Sequence, residues 1–101
     1  MQEKKRYLLV SFKAAAPLSK AEASRLVSQS VIECVGELGA SRAKAFLKEF
    51  DEANQSGVVK CQTAMLDEVI ASLALKASWN EKPVAIRVSK ISGAIGKVWA
   101  A

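Results

Sequence analysis

The sequence of 101 residues contains no histidine and only two cysteines, so the residues on which most metal and catalytic sites depend are scarce. Without histidine, we expect neither a zinc site nor histidine-based acid–base or nucleophilic catalysis. Cys34 and Cys61 lack the spacing of metal ligands, and both occupy core positions of predicted elements, where free cysteine acts as a small hydrophobe. The carboxylates Glu49, Asp51 and Glu52 could suggest a metal site, but they lie around a polar turn with nothing convergent. The sequence therefore predicts no catalytic residue, no metal ligand and no cofactor bound by this chain.

Long apolar runs are also missing. No run reaches the roughly 18 residues that a membrane-spanning helix needs. The apolar stretch 7–12, which follows the basic N-terminal residues, is too short for the core of a signal peptide. A chain of 101 residues has the length of one domain. We therefore expect a single domain over residues 1–101, in the cytoplasm and without a membrane partner.

Acidic residues are scarce at both ends of the chain, although the middle is mildly acidic. Residues 1–20 contain five basic side chains and one acid, and residues 82–101 contain four basic side chains and no acid. Residues 21–81 contain nine acids and six bases. The net charge of +5 therefore comes from two basic ends, which is compatible with a polyanionic partner.

Apolar periodicity predicts four strands. Residues 7–12 form an apolar and aromatic strand, and residues 46–61 have the pattern of a hairpin around a polar turn. The last strand starts at Pro83, a position where a strand tolerates proline. Its side chains alternate, with Val84, Ile86 and Val88 on one face.

Two helices separate these strands. Ser19 and Glu22 form the sequence pattern of a capping box, and an apolar stripe follows it. We expect Gly36 and Gly39 to end this first helix. The second helix is expected to start at a Thr63 cap. The stripe of the first helix consists of Ala23, Leu26, Val27, Val31, Cys34, Val35 and Leu38.

The resulting order, β-α-β-β-α-β, predicts an α+β fold of the ferredoxin-like or split βαβ type, an antiparallel sheet with both helices on one face. In that arrangement the first and last strands are neighbours, so the two basic ends of the sequence meet on one half of the sheet. Lys4, Lys5, Arg6 and Lys13 would then lie near Arg87, Lys90 and Lys97. Such a surface could bind phosphate groups, although lysines at strand ends also keep sheet edges from aggregating.

Other local motifs are less specific. The segment 92–97 could hold an anion in backbone N–H groups or form a simple turn, and it does not match a P-loop. The Gly36–Gly39 spacing matches a KH clamp, but Glu37 inside it favours a glycine-rich helix end. The strand 58–61 has no aromatic residue for base stacking. An apolar patch left after both helices cover one face of the sheet would suit a protein partner, with Leu9, Val59 and Ala85 as candidates.

Four segments, spread in order over nearly the whole chain, carry a family resemblance. They are a basic opening of the first strand, a glycine-containing middle block, a central strand and a closing strand: Lys4-Lys5-Arg6-Tyr7, Gly36 to Asp51, Ser56 to Cys61, and Pro83 to Ile95. Together they resemble the archaeal ribonuclease P protein component 2 family, which is related to eukaryotic subunits of ribonuclease P and MRP.

The resemblance implies a subunit without catalytic activity of its own. In that family the RNA component cleaves precursor tRNA at its 5′ end, with divalent metal ions on the RNA. The implied partners are ribonuclease P RNA, ribonuclease P protein component 3 and a second copy of component 2 within a heterotetramer. Precursor tRNA would be met through the holoenzyme.

We expect the RNA contacts to come from basic residues, because a protein beside a catalytic RNA mainly neutralises phosphates. The first candidates are Lys4, Lys5, Arg6, Arg87, Lys90 and Lys97, and the second are Arg42, Lys44 and Lys60. The alternative function is a ferredoxin-like regulatory or oligomerisation module that binds no nucleic acid.

Overall fold

A computed structural model describes residues 4–79 and 81–93. Five strands form one antiparallel sheet in the order β2-β3-β1-β5-β4. The elements follow the chain as β1 Lys5–Ala14, α1 Lys20–Ala43, β2 Phe46–Asp51, β3 Ser56–Gln62, a 3-10 turn Thr63–Met65, α2 Leu66–Leu75, β4 Ser78–Trp79 and β5 Lys82–Ser92. The ferredoxin-like arrangement is confirmed, with β1 beside β5. The structure adds one strand to those predicted. The start of the predicted turn at 78–82 forms the two-residue strand β4, which pairs with the start of β5.

The core lies between the two helices and one face of the sheet, which we call the helix face. Alternate residues of β1 lie on it because side chains alternate along a strand, and Leu8, Val10 and Phe12 are buried there. Leu26 of α1 and Leu73 of α2 are fully buried against the same face. The other face of the sheet, which carries neither helix, is the second face.

Helix α1 begins as the sequence predicts. The Ser19 hydroxyl accepts a hydrogen bond from the Glu22 N–H, and a Glu22 carboxylate oxygen accepts one from the Ser19 N–H, each at 3.2 Å. These reciprocal bonds satisfy two N–H groups that have no partner within the helix. The capping box is therefore confirmed.

The predicted end of α1 at Gly36 and Gly39 is correct only in part, because a first helical stretch stops at Gly36 but a second one follows it through Gly39. Gly36 has φ 75° and ψ 174°, a conformation essentially restricted to glycine, and helical geometry then resumes and continues to Ala43. The kink interrupts the apolar stripe, so Leu38 is 70% exposed instead of buried. Cys34 is exposed as well, because it lines an open groove beside Leu75, the last residue of α2.

The predicted Thr63 cap of α2 is also wrong. Thr63 starts the 3-10 turn, and its hydroxyl has no hydrogen-bond partner within the described residues. The Thr63 N–H instead donates to the Lys4 carbonyl at 2.8 Å. This bond ties the turn before α2 to the start of β1.

A side-chain clamp joins the β2–β3 turn to the segment that precedes α1. The Gln55 side chain accepts a hydrogen bond from the Leu18 N–H at 2.7 Å and donates to the Leu18 carbonyl at 3.1 Å and the Glu52 carbonyl at 2.8 Å. The Gln55 carbonyl accepts a fourth bond, from the Phe12 N–H at 2.8 Å. Leu18 is only 6% exposed, so the clamp satisfies main-chain groups that have little access to water.

Strand β5 contains a bulge opposite the middle of β1. Leu9 pairs with Lys90 whereas Val10 pairs with Val88, so Ser89 is an extra residue in β5. The Ser89 hydroxyl donates to the Leu9 carbonyl at 3.2 Å. An extra residue changes which side chains lie on which face beyond it.

A second bulge lies in the edge strand β2. Leu47 pairs with Val59 and Glu49 with Val58, which leaves Lys48 as the extra residue. The two bulges lie within one residue of each other along β1, on either side of the continuous β1–β3 pairing.

Candidate nucleic-acid interface

The second face consists of rows of side chains that run across the strands. Paired residues of neighbouring strands lie on the same face, so the strand register defines the rows. Adjacent rows are two residues apart along β1, or about 6.8 Å. From one end of the sheet to the other, the rows are Gln62–Lys5, Phe46–Lys60–Tyr7–Ser92, Glu49–Val58–Leu9–Lys90, Asp51–Ser56–Ser11–Arg87 and Lys13–Ala85.

Each of these rows contains one basic residue. In order along the sheet they are Lys5, Lys60, Lys90, Arg87 and Lys13, all on the inner strands β1, β3 and β5. The acidic residues of the rows, Glu49 and Asp51, both lie on the edge strand β2. The second face therefore has a line of cations about 27 Å long, from the four row intervals, with the acids to one side.

The bulge in β5 places Lys90 in this line. In a regular strand Lys90 would share a face with Val84, Ile86 and Val88, which belong to the helix face. The extra residue Ser89 shifts the alternation, so Lys90 pairs with Leu9 on the second face. Ile91 then takes the helix face opposite Leu8.

Further cations gather at one end of the sheet, which we call the basic end. The starts of β1 and β2 and the ends of β3 and β5 meet there, because neighbouring strands are antiparallel. Arg42 lies in the last turn of α1, and Lys44 caps that helix in the left-handed region just before β2. Lys4, Lys5 and Arg6 come from the start of β1.

Arg6 connects the basic end to the Ser-Gly turn that follows β5. Its Nη1 donates to the Lys5 carbonyl at 3.0 Å, and a Cβ built on Gly93 would lie 3.6 Å from the same nitrogen. By its pairing with Cys61, Arg6 belongs to the edge of the helix face rather than the second face.

The structure thus brings most of the predicted basic residues together, in two groups. Lys4, Lys5, Arg6, Arg42, Lys44 and Lys60 lie at the basic end, with Lys90 one row further along, whereas Arg87 lies with Lys13 towards the opposite end. A pocket of about 140 Å³ is lined by Ser11, Lys13, Ala85 and Arg87. Lys97 lies outside the described residues.

One residue predicted for a partner surface is misplaced. Val59 pairs with Leu8 on the helix face and is completely buried in the core, so it cannot contact a partner. Leu9 and Ala85 do lie on the second face. The error arose because the neighbouring Val58 is equally apolar, and only the register shows that Val58 belongs to the second face.

Neighbouring lysines affect the titration of Lys60 at the basic end. The pKa of Lys60 is lowered from its usual value, first by side-chain hydrogen bonding with Lys5, and further by desolvation and by the positive charges of Lys5 and Lys48. A hydrogen bond to the neutral amine favours loss of its proton. Like charges held this close favour a bound anion.

Two aromatic residues flank this lysine pair, a feature that the sequence analysis missed. Strand β3 has no aromatic residue, as predicted, but Phe46 of β2 and Tyr7 of β1 pair with Lys60 from either side. Phe46 is 41% exposed, and the Lys60 Nζ lies 5.5 Å from the centre of its ring. Tyr7 is half-buried. Only the pairing of β2 with β3 could have revealed this arrangement.

The structure offers no protein-held metal site in the part that it describes. Over residues 4–79 and 81–93, no three cysteine or carboxylate side chains are placed to share an ion. Among the described helices, none has the length and apolar character needed to cross a bilayer.

Comparison with known proteins identifies the family. The family model for the Rpp14/Pop5 family matches residues 6–101. The chain belongs to the Rpp14/Pop5 family. The resemblance proposed from the sequence is therefore confirmed.

The family relatives include archaeal proteins that cover nearly the whole chain. Ribonuclease P protein component 2 of Pyrococcus furiosus is 31% identical over 98 residues, which are 97% of this chain and 82% of that protein. The protein of the same name from Methanocaldococcus jannaschii is 35% identical over 97 residues, which are 96% of this chain and 71% of that protein.

A solved structure has the same fold. A chain in the cryo-EM structure of yeast ribonuclease MRP superposes with a TM-score of 0.74, and the match covers 93% of this chain and 77% of that chain. The two sequences are 10% identical, so this likeness supports the ferredoxin-like fold alone.

Proposed function

We propose that this chain is a non-catalytic, RNA-binding protein subunit of ribonuclease P, which supports the catalytic RNA in the 5′ maturation of precursor tRNA. Membership of the Rpp14/Pop5 family and the names of its archaeal relatives support the assignment to ribonuclease P. The observation that carries the RNA-binding role is the line of one cation in each row of the second face.

A line of cations suits a nucleic-acid backbone better than a small ligand. Successive cations about one row apart follow an extended polyanion, and binding through them depends on charge rather than on base sequence. Divalent metal ions of the reaction belong, in this proposal, to the RNA. Component 3 and a second copy of this chain are the protein partners proposed with it.

The salt dependence of RNA binding tests this role. If all five cations of the line contact phosphates, log Kd against log salt concentration should have a slope of magnitude about 3.5–4.5, from about 0.7–0.9 for each contact. The double variant Arg87→Ala plus Lys90→Ala should flatten the slope by about 1.4–1.8 on the same basis. Filter binding of the cognate ribonuclease P RNA across a salt series measures both values.

A control variant removes the same number of positive charges from outside the second face. Lys20 starts α1 and Lys82 starts β5, and both are exposed away from the second face. The variant Lys20→Ala plus Lys82→Ala should keep the wild-type slope. Equal slopes for both double variants, or no binding of the wild type at low salt, would support the module without nucleic acid. Cleavage of precursor tRNA by the purified chain would contradict the non-catalytic role.

A further inference from the structure

The row that contains Phe46, Lys60 and Tyr7 has a chemistry that phosphate binding alone does not explain. A large aromatic side chain at an edge strand is 41% exposed, although burial of a phenylalanine normally stabilises a fold. Phe46 is one of the exposed large apolar residues in the described part of the chain, and it lies beside Lys60 on the second face.

One lysine lies over the exposed ring, and two more act on that lysine. The Lys60 Nζ is 5.5 Å from the centre of the Phe46 ring, and Lys5 lies in the adjacent row, where it acts on Lys60. Lys48, the bulge residue of β2, is close enough for its charge to act on Lys60. A partner for this site therefore needs a flat apolar group for the ring and a negative charge for the lysines.

An unpaired nucleotide has both parts. Its base has a π-face that stacks on an aromatic ring, and its phosphate is an anion at a short distance from the base. An acidic peptide supplies both parts only where an aromatic side chain lies beside an acidic one, whereas every nucleotide carries both. The combination therefore favours single-stranded RNA over a protein partner.

We propose that Phe46 is a stacking site for one unpaired RNA base, whose adjacent phosphate lies between Lys5 and Lys60. Lys60 covers the Phe46 ring in the chain without RNA; in the complex the base takes this place and the Lys60 ammonium turns to the phosphate. The proposal deepens the RNA-binding function and rests on it. It adds one base contact to an interface that is otherwise electrostatic.

The test compares strands with and without bases. The probes are an eight-nucleotide single-stranded oligoadenylate, an abasic ribose-phosphate strand of equal length, and the cognate ribonuclease P RNA. We expect Phe46→Leu to weaken binding of the oligoadenylate by about 5- to 150-fold, as for the loss of one base–aromatic stack. Its salt slope should not change, because no charge is removed. Binding of the abasic strand should not change either.

Two further variants separate the ring from the charges. Phe46→Tyr keeps a ring and should keep oligoadenylate affinity within about threefold of wild type. Lys60→Gln should weaken both strands and flatten the slope by about 0.7, because it removes a phosphate contact. Ile32→Ala, which changes a side chain of similar exposure on α1, is the control and should change nothing.

The outcomes distinguish this inference from the function on which it rests. If Phe46→Leu has no effect while Lys60→Gln weakens binding, the stacking site is refuted and the RNA-binding role stands. The same holds if the wild type binds ribonuclease P RNA but not the oligoadenylate, or if Phe46→Leu weakens the abasic strand equally. If the wild type binds none of the probes at low salt, both proposals fail.

Discussion

The Gln55 clamp should contribute strongly to stability although it lies in a polar turn. The change Gln55→Ala removes three side-chain hydrogen bonds, two of them to the main chain of the buried Leu18. At about 1 kcal/mol for each bond, the loss is about 3 kcal/mol. Fixing a buried glutamine costs about 1.5–2 kcal/mol of side-chain entropy, and the half-buried Gln55 about 1 kcal/mol, which the variant no longer loses on folding. We therefore expect the free energy of unfolding to fall by about 2 kcal/mol.

Backbone strain does not disturb this comparison. Gln55 has φ 50°, in the left-handed region, and alanine carries a similar steric cost there. A drop of about 2 kcal/mol should lower the melting temperature of a domain of this size by about 10 °C. Urea unfolding followed by far-ultraviolet circular dichroism measures the free energy directly.

Two variants give the reference values. Gln29→Ala, at an exposed position of α1, should change stability by less than about 0.5 kcal/mol. Gln55→Glu should cost at least as much as Gln55→Ala, because it places a carboxylate oxygen where an N–H group now faces two carbonyls. A Gln55→Ala effect no larger than that of Gln29→Ala would refute the reasoning. Because the clamp contains none of the five cations of the line, RNA binding of the folded variant should not change.

Two further predictions concern the interior. A Cβ at Gly57 would lie 2.6 Å from the Glu49 carbonyl oxygen. Gly57→Ala should therefore lower the free energy of unfolding, measured in urea, by roughly 1–3 kcal/mol. Unchanged stability would contradict the close approach of β2 and β3. Burial raises the pKa of the Cys61 thiol to about 11 from an ordinary 9.0, so the free energy of unfolding should fall by roughly 1–2 kcal/mol as pH rises from about 9 to about 11. The difference in unfolding free energy between wild type and Cys61→Val should show this fall, and Cys34→Ser should behave as wild type. A thiol reagent should modify the exposed Cys34 but not Cys61 in the native chain.

Much of the fold could be predicted because the decisive signals are local. Alternation at Leu8, Val10 and Phe12 marks a strand with one buried face, and the Ser19–Glu22 pair marks a helix start within four residues. Gly36 shows the limit of such signals. A glycine with positive φ can end a helix or kink it, and tertiary packing decides which.

The candidate site could be predicted only in part, for a related reason. Adjacent positions of β1 and β5 follow from the fold type, so the meeting of the two basic ends was predictable. The positions of Lys90 and Phe46 depend on the strand register and on a bulge, which are properties of paired strands rather than of one sequence segment. No periodicity within β2 or β5 reveals which residue is the extra one.

The bulge at Ser89 reverses which residues of β5 lie on each face of the sheet. Odd-numbered residues such as Arg87 lie on the second face before the bulge, and even-numbered residues such as Lys90 lie on it after the bulge. A lysine moved from position 90 to position 91 would leave the charged line although it stayed in the same strand. Sequences of this strand in related proteins therefore need to be compared by position relative to the bulge. An alignment that shifts the bulge by one residue assigns residues of the second face to the helix face.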